Sequence, residues 1–187
     1  MRLSDADVET LRLGALLHDI GKIGVSDAVL RKPGKLTAEE FEQIKQHPTL
    51  GARILKPLRF LDAQLAVVEL HHERPDGRGY PHGLTGEAIP LFARLVHVVD
   101  AFDAMTSARA YRPARSPGEA FAELWRCIGA DFDHTVVRAL AALPIALTPP
   151  ASPASDSEAS SAGAVVPFSR RAAGDPQRSQ RGALMGT

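Results

Sequence analysis

Four places along the chain carry residues that can do chemistry: His18-Asp19 followed by Lys22, His47-Pro48, the pair His71-His72, and Asp100 with Asp103. Neutral imidazole and carboxylate are the donors that first-row divalent cations accept when thiolates are absent. Two consecutive helical residues point about 100° apart, so a helix seen end-on can aim both His71 and His72 into one pocket. The same pair could instead end a helix with its rings on carbonyls or in water. The glycine-punctuated run from Glu73 to Pro81 follows directly and would form the pocket wall. Four imidazoles and three carboxylates make a mixed nitrogen and oxygen set suited to iron, manganese, zinc or similar ions. The lack of paired thiolates argues against a structural zinc knot. A carboxylate such as Asp19 can bridge two cations about 3.5–4 Å apart. The chemistry of such a pair is hydrolysis at phosphorus. Lys22, one turn after His18, would stabilise charge on a phosphate oxygen, and Asp103 would orient water or assist the leaving alkoxide.

These residues must be positioned by helices. Ser4 with Asp7 forms a capping-box variant, and Val8, Leu11, Ala15, Leu16 and Leu17 make a helical stripe running into His18. Gly21, Gly24, Pro33 and Gly34 break the following stretch into a loop. Thr37 with Glu40 starts a second helix, expected to end at His47-Pro48, because proline biases the residue before it away from helical geometry. Further helical patterns run from Thr49 to Lys56, from about Leu61 to His71, and from Ile89 to Thr106, the last carrying Asp100 and Asp103 one turn apart on one side. Ser116-Pro117-Gly118-Glu119 opens another helix, and Asp133 caps a last one from Val136 to Leu143. No alternating-polarity run of strand length occurs, so the class is all-α, a multi-helix bundle.

The totals bound the partners. Among 187 residues, 22 Lys and Arg balance 22 Asp and Glu, so no global field recruits DNA or a membrane surface. The single cysteine, Cys127, excludes an intrachain disulfide and reads as a small core filler. The amino terminus has acids where a signal peptide needs a basic region, and no apolar run approaches the roughly 18 residues of a membrane span, so the expected location is the cytoplasm. Residues 1–145 read as the ordered domain. From Thr148 the composition turns to Pro, Ser, Ala and Gly, so residues 146–187 read as a disordered tail, its arginines Arg170, Arg171, Arg178 and Arg181 as solvated filler. His82, His97 and His134 fall outside the motifs, and His97, one turn before Asp100, reads as a satisfied core or surface histidine rather than a support for the site.

Taken in order, these blocks resemble the HD-GYP domain, a branch of the HD phosphohydrolase superfamily. His18-Asp19-Ile20-Gly21-Lys22 is similar to its HD signature, His47-Pro48 with Gly51 to the next block, and His71-His72-Glu73-Arg74 through Gly79-Tyr80-Pro81 to its name motif. Asp100 to Ser107, then Arg109, Tyr111 and Arg112, resemble its last block. The resemblance implies an HD-type bundle that hydrolyses cyclic di-GMP to linear pGpG, with GMP as a further product. It implies metal binding by His18, Asp19, His47, His71, His72 and Asp100, and two or three divalent ions, iron or manganese. Lys22, Tyr80, Asp103, Arg109 and Arg112 would lie at the substrate. Family members extend upstream by helices that supply another histidine and, in three-metal members, a glutamate; this chain starts after them. The expectation is weak occupancy of the site built on His18, Asp19 and Asp100, beside a nearly complete set of Asp19, His47, His71 and His72. The resemblance also implies control by a sensory or receiver protein. The alternative is a catalytically impaired module that binds cyclic di-GMP or a diguanylate cyclase.

Overall fold

Capping residues set most of the helix starts. In the computed structural model, which describes residues 2–108 and 113–143, α1 (Asp5–Leu17) begins at Ser4, α3 (Ala38–Lys45) at Thr37 and α7 (Pro117–Arg126) at Ser116. In each, the cap side chain accepts an N–H while the acid three residues on accepts the cap's own N–H. Asp133 accepts from the Val136 N–H and starts α8 (His134–Ala141). Between these lie a 3-10 turn at Ile20–Gly24, the short α2 (Asp27–Leu30), α4 (His47–Leu55), α5 (Asp62–Leu70) and α6 (Leu91–Thr106). The described residues form an all-α fold without strands. None of their helices is long and apolar enough to cross a membrane. The expected tail falls outside the described residues.

The stretch expected as a loop after His18 carries the 3-10 turn and α2, the last helix starts two residues early at His134, and one boundary at the site differs from the expectation. His47 is the first residue of α4 rather than the terminus of the helix before it, and Pro48 occupies the first turn of the new helix. Proline's missing N–H costs nothing there, since first-turn amides have no intrahelical acceptor. The Pro48 signal therefore starts a helix where it was expected to stop one.

The core is built in patches around a central pair, α5 and α6. Leu55, Leu61 and Val68 pack with Leu17, Ile20 and Leu65, joining α1 and α4 to α5. Val98, Met105, Ala120, Leu124, Cys127, Phe132, Val136 and Val137 join α6 to α7 and α8, with Cys127 buried as the filler expected. Val25, Val29 and Ile44 fasten α2 to α3. The 3-10 turn after α1 lies against the start of α4 because residue 21 is glycine: a Cβ there would fall on the His47 carbonyl and 2.5 Å from the Gly51 nitrogen. This contact brings the first and second chemical blocks together.

The packing around α7 generates a stability prediction. Leu124 is fully buried, whereas Trp125 beside it is 44% exposed. Leu124→Ala should lower the free energy of unfolding by about 2–5 kcal/mol in urea denaturation, and Trp125→Ala by less.

Candidate metal centre

Three histidines of the centre follow one local rule. His18 ends α1, His71 ends α5, and His47 lies just past the end of α3. Each folds its ring back so that Nδ1 meets the carbonyl three residues earlier: His18 on Ala15 at 2.6 Å, His47 on Ile44 at 2.7 Å and His71 on Val68 at 2.9 Å. A carbonyl only accepts, so each Nδ1 carries the proton and, in the neutral ring, each Nε2 presents a lone pair. The helix ends thus gain donors for carbonyls left without intrahelical partners, and the rings gain a fixed orientation.

The lone pairs converge. His47 Nε2 lies 3.3 Å from His71 Nε2. Asp19 sits between two of the rings, with Oδ2 3.3 Å from His18 Nε2 and Oδ1 3.3 Å from His47 Nε2. Asp100, on α6, brings an oxygen to 3.9 Å from His18 Nε2. Lys22 Nζ closes on Asp19 Oδ2 at 2.6 Å. His72 packs its ring 4.2 Å from that of His71 and 5.0 Å from that of His47. Two sets have their donor atoms mutually within 4.8 Å: His47, His71 and His72, and His18, Asp19 and His71. His71 belongs to both, where the sequence reading placed it with Asp19, His47 and His72 and not with His18.

The donor set fits divalent cations. Two imidazole lone pairs facing each other at 3.3 Å repel unless a cation or proton lies between them. His18 Nε2 is buried without a hydrogen-bond partner, although Asp19 and Asp100 both lie close. The electrostatics agree with a site that keeps its ligands ready. Burial holds His71 and His72 well below the usual imidazole range, so both are neutral. Burial opposes charge on Asp19 as well, but the adjoining His18 and His47 rings and the Lys22 charge prevail and hold its carboxyl well below the usual carboxylate range. His18 shifts upward for the matching reason, the Asp19 carboxylate outweighing burial.

Other expected residues stand around this cluster. Tyr80 stacks on His72, ring centroids 4.7 Å apart and planes 29° apart, and burial with the nearby carboxylates raises its hydroxyl pKa. Asp103 is exposed one turn beyond Asp100 and accepts a hydrogen bond from Ser107 Oγ at 3.3 Å. Arg109 and Arg112 lie outside the described residues. His82 and His134 are peripheral: His82 lies 3.3 Å from Glu69, and His134 starts α8.

Two supports escaped the sequence reading. Glu73 is 1% exposed, and its carboxylate accepts the backbone N–H groups of His82 at 2.7 Å and Leu84 at 2.9 Å, tying the far side of the Gly-rich loop to the histidine pair. Its partners are main-chain groups, which leave no signature in residue types. Gly79 completes the closure, since a Cβ there would press on the Arg74 nitrogen and the Glu73 Cα. His97 is in the core, as one of the expected alternatives held, yet its Nδ1 donates to the His71 carbonyl at 2.8 Å. Its spacing before Asp100 was the available signal.

Burial pushes the His97 pKa down to about 4 from 6.5. Between those values the unfolded chain binds a proton that the fold refuses, so this contribution to stability is complete above pH 6.5 and is lost as pH falls toward 4. His71 and His72 act in the same direction, and His18 in the opposite one. Chelator-treated protein should therefore show a urea midpoint that falls from pH 7 to pH 5, and His97→Asn should flatten that slope.

Comparison with known proteins gives a consistent picture. A family model for the HD domain matches residues 1–136. The chain is 47% identical over 140 residues to the cyclic di-GMP phosphodiesterase response regulator RpfG of Xanthomonas campestris pv. campestris, covering 74% of this chain and 37% of that protein. It is 46% identical over 148 residues to a cyclic di-GMP phosphodiesterase of Vibrio cholerae, covering 75% and 30%. Among solved structures, the cyclic GMP-AMP specific phosphodiesterase V-cGAP3 of Vibrio cholerae superimposes with a TM-score of 0.58 at 26% identity, covering 76% of this chain and 40% of that one. The chain thus spans less than half the length of each.

Proposed function

The chain belongs to the HD domain family, and from that premise we propose that it is a divalent-metal-dependent phosphodiesterase that opens cyclic di-GMP to linear pGpG, with GMP as a further product. The observation that carries this reading is the convergence of three Nδ1-anchored imidazoles, two of them on the two oxygens of one carboxylate, Asp19, and the third, His71, on His47 Nε2. His18, Asp19, His47, His71, His72 and Asp100 are the residues that would hold two or three ions, iron or manganese. Bound there, such ions supply Lewis acidity, which neutralises phosphate charge and eases deprotonation of water.

The chain's own groups do the rest. Asp19, ionised and shared between two histidines, holds both halves of the donor set in one place. Lys22, beside Asp19, offers an ammonium to a phosphate oxygen. Tyr80, fixed on His72, bounds the substrate side, and Arg109 and Arg112 contribute guanidinium groups that pair bidentately with phosphate. Asp103, exposed and held by Ser107, orients the attacking water or returns a proton to the leaving alkoxide. The name of the Xanthomonas relative, a response regulator, supports control by a receiver element, and a diguanylate cyclase remains the second partner in this reading.

Anaerobically purified protein supplied with Mn²⁺ or Fe²⁺ is expected to convert cyclic di-GMP to pGpG, followed by chromatography of the products. Asp19→Ala should abolish both metal uptake and turnover. Asp103→Asn should lower kcat by about 10²-fold or more with metal content unchanged. Binding of cyclic di-GMP without hydrolysis at any metal loading would replace the enzyme by a binding module. Faster turnover of 3′3′-cGAMP would move the substrate assignment.

A further inference from the structure

The turn that ends α5 leaves three successive carbonyls to be satisfied from outside the helix. Leu70 O accepts from the Glu73 N–H at 3.0 Å, and His72 O from the Tyr80 N–H at 3.2 Å. His71 O is met by a side chain from another helix, His97 Nδ1 on α6 at 2.8 Å. His97 is 7% exposed, its ring centroid is 5.4 Å from that of Phe132, and it precedes Asp100 by one turn on the same helix.

We propose that His97 is a positioning residue of the metal centre. The His71 carbonyl defines the plane of the peptide that joins His71 to His72. Pinning it sets the direction in which the second imidazole leaves the first. Because the donor sits on α6, the same bond fixes the His71-His72 pair relative to Asp100, and so relates the ligands at the end of α5 to the carboxylate on α6. An aliphatic side chain at residue 97 would fill the core equally well but leave the His71 carbonyl without this donor and the peptide free to tilt. The inference rests on the reading of the cluster as a metal centre.

The test is Co²⁺ titration of the full chain, followed by the cobalt visible bands and by competition with a chromophoric chelator. His97→Leu keeps the core filled and removes the donor; His97→Phe serves in its place if the leucine variant does not fold. His97→Asn keeps an N–H donor close to the backbone. Melting of the metal-free proteins by circular dichroism shows whether each variant is folded. A folded variant without the donor should bind Co²⁺ about 10–100-fold more weakly, with shifted bands, while His97→Asn should keep near-wild-type affinity and spectrum. Wild-type affinity and bands in the folded leucine or phenylalanine variant would overturn the role of His97 and leave the metal centre standing. Failure of the wild type itself to bind Co²⁺ would overturn both.

Discussion

The back-bond from an imidazole Nδ1 to the carbonyl three residues earlier is the interaction on which the rest of the centre depends. It occurs at His18, His47 and His71, in each case where a helix ends and carbonyls lack partners. One bond does two jobs there. It finishes the helix, and it turns the remaining nitrogen outward as a lone pair. Three helix C-termini therefore deliver three oriented donors, and at the ends of α1 and α5 the partial negative charge of the terminus adds to a potential that favours cations. Asp19, kept ionised by its imidazole neighbours and Lys22, completes the negative focus.

Packing serves this convergence. The 3-10 turn after α1 can lie on α4 because Gly21 leaves room for the His47 carbonyl, and so the first block meets the second. α5 packs against α1 and α4, which brings His71 between His18 and His47. On the opposite side, Arg74 pairs with both Asp76 and Asp131, linking the Gly-rich loop to the segment before α8. The loop is thus held by Glu73 from within and by Arg74 from without.

Much of this could be read in the residue order, for definite reasons. Ser4, Thr37 and Ser116 announce helix starts because capping pairs side chain and backbone over a fixed short spacing. The ligands stood out because imidazoles and carboxylates at helix ends have few other uses together. Pro48 was ambiguous, since a proline that forbids one helix from continuing is equally suited to the first turn of the next. The double membership of His71 was not legible, because it depends on how α1, α4 and α5 meet in space. Glu73 escaped notice because a carboxylate that binds backbone amides looks, in sequence, like any surface acid. Arg109 and Arg112 rest on the sequence alone.

The residues proposed to hold the metal come from stretches far apart in the chain: the end of α1, the start of α4, the end of α5 and the middle of α6. Ions held between them would act as cross-links that close several loops at once, contributing to the fold by opposing the chain entropy of the separated state. Because the unfolded chain cannot present all these donors together, such an ion would favour the native form, and an increase in its free concentration would deepen the native well. On that reading the stability of the fold would be tied to metal supply.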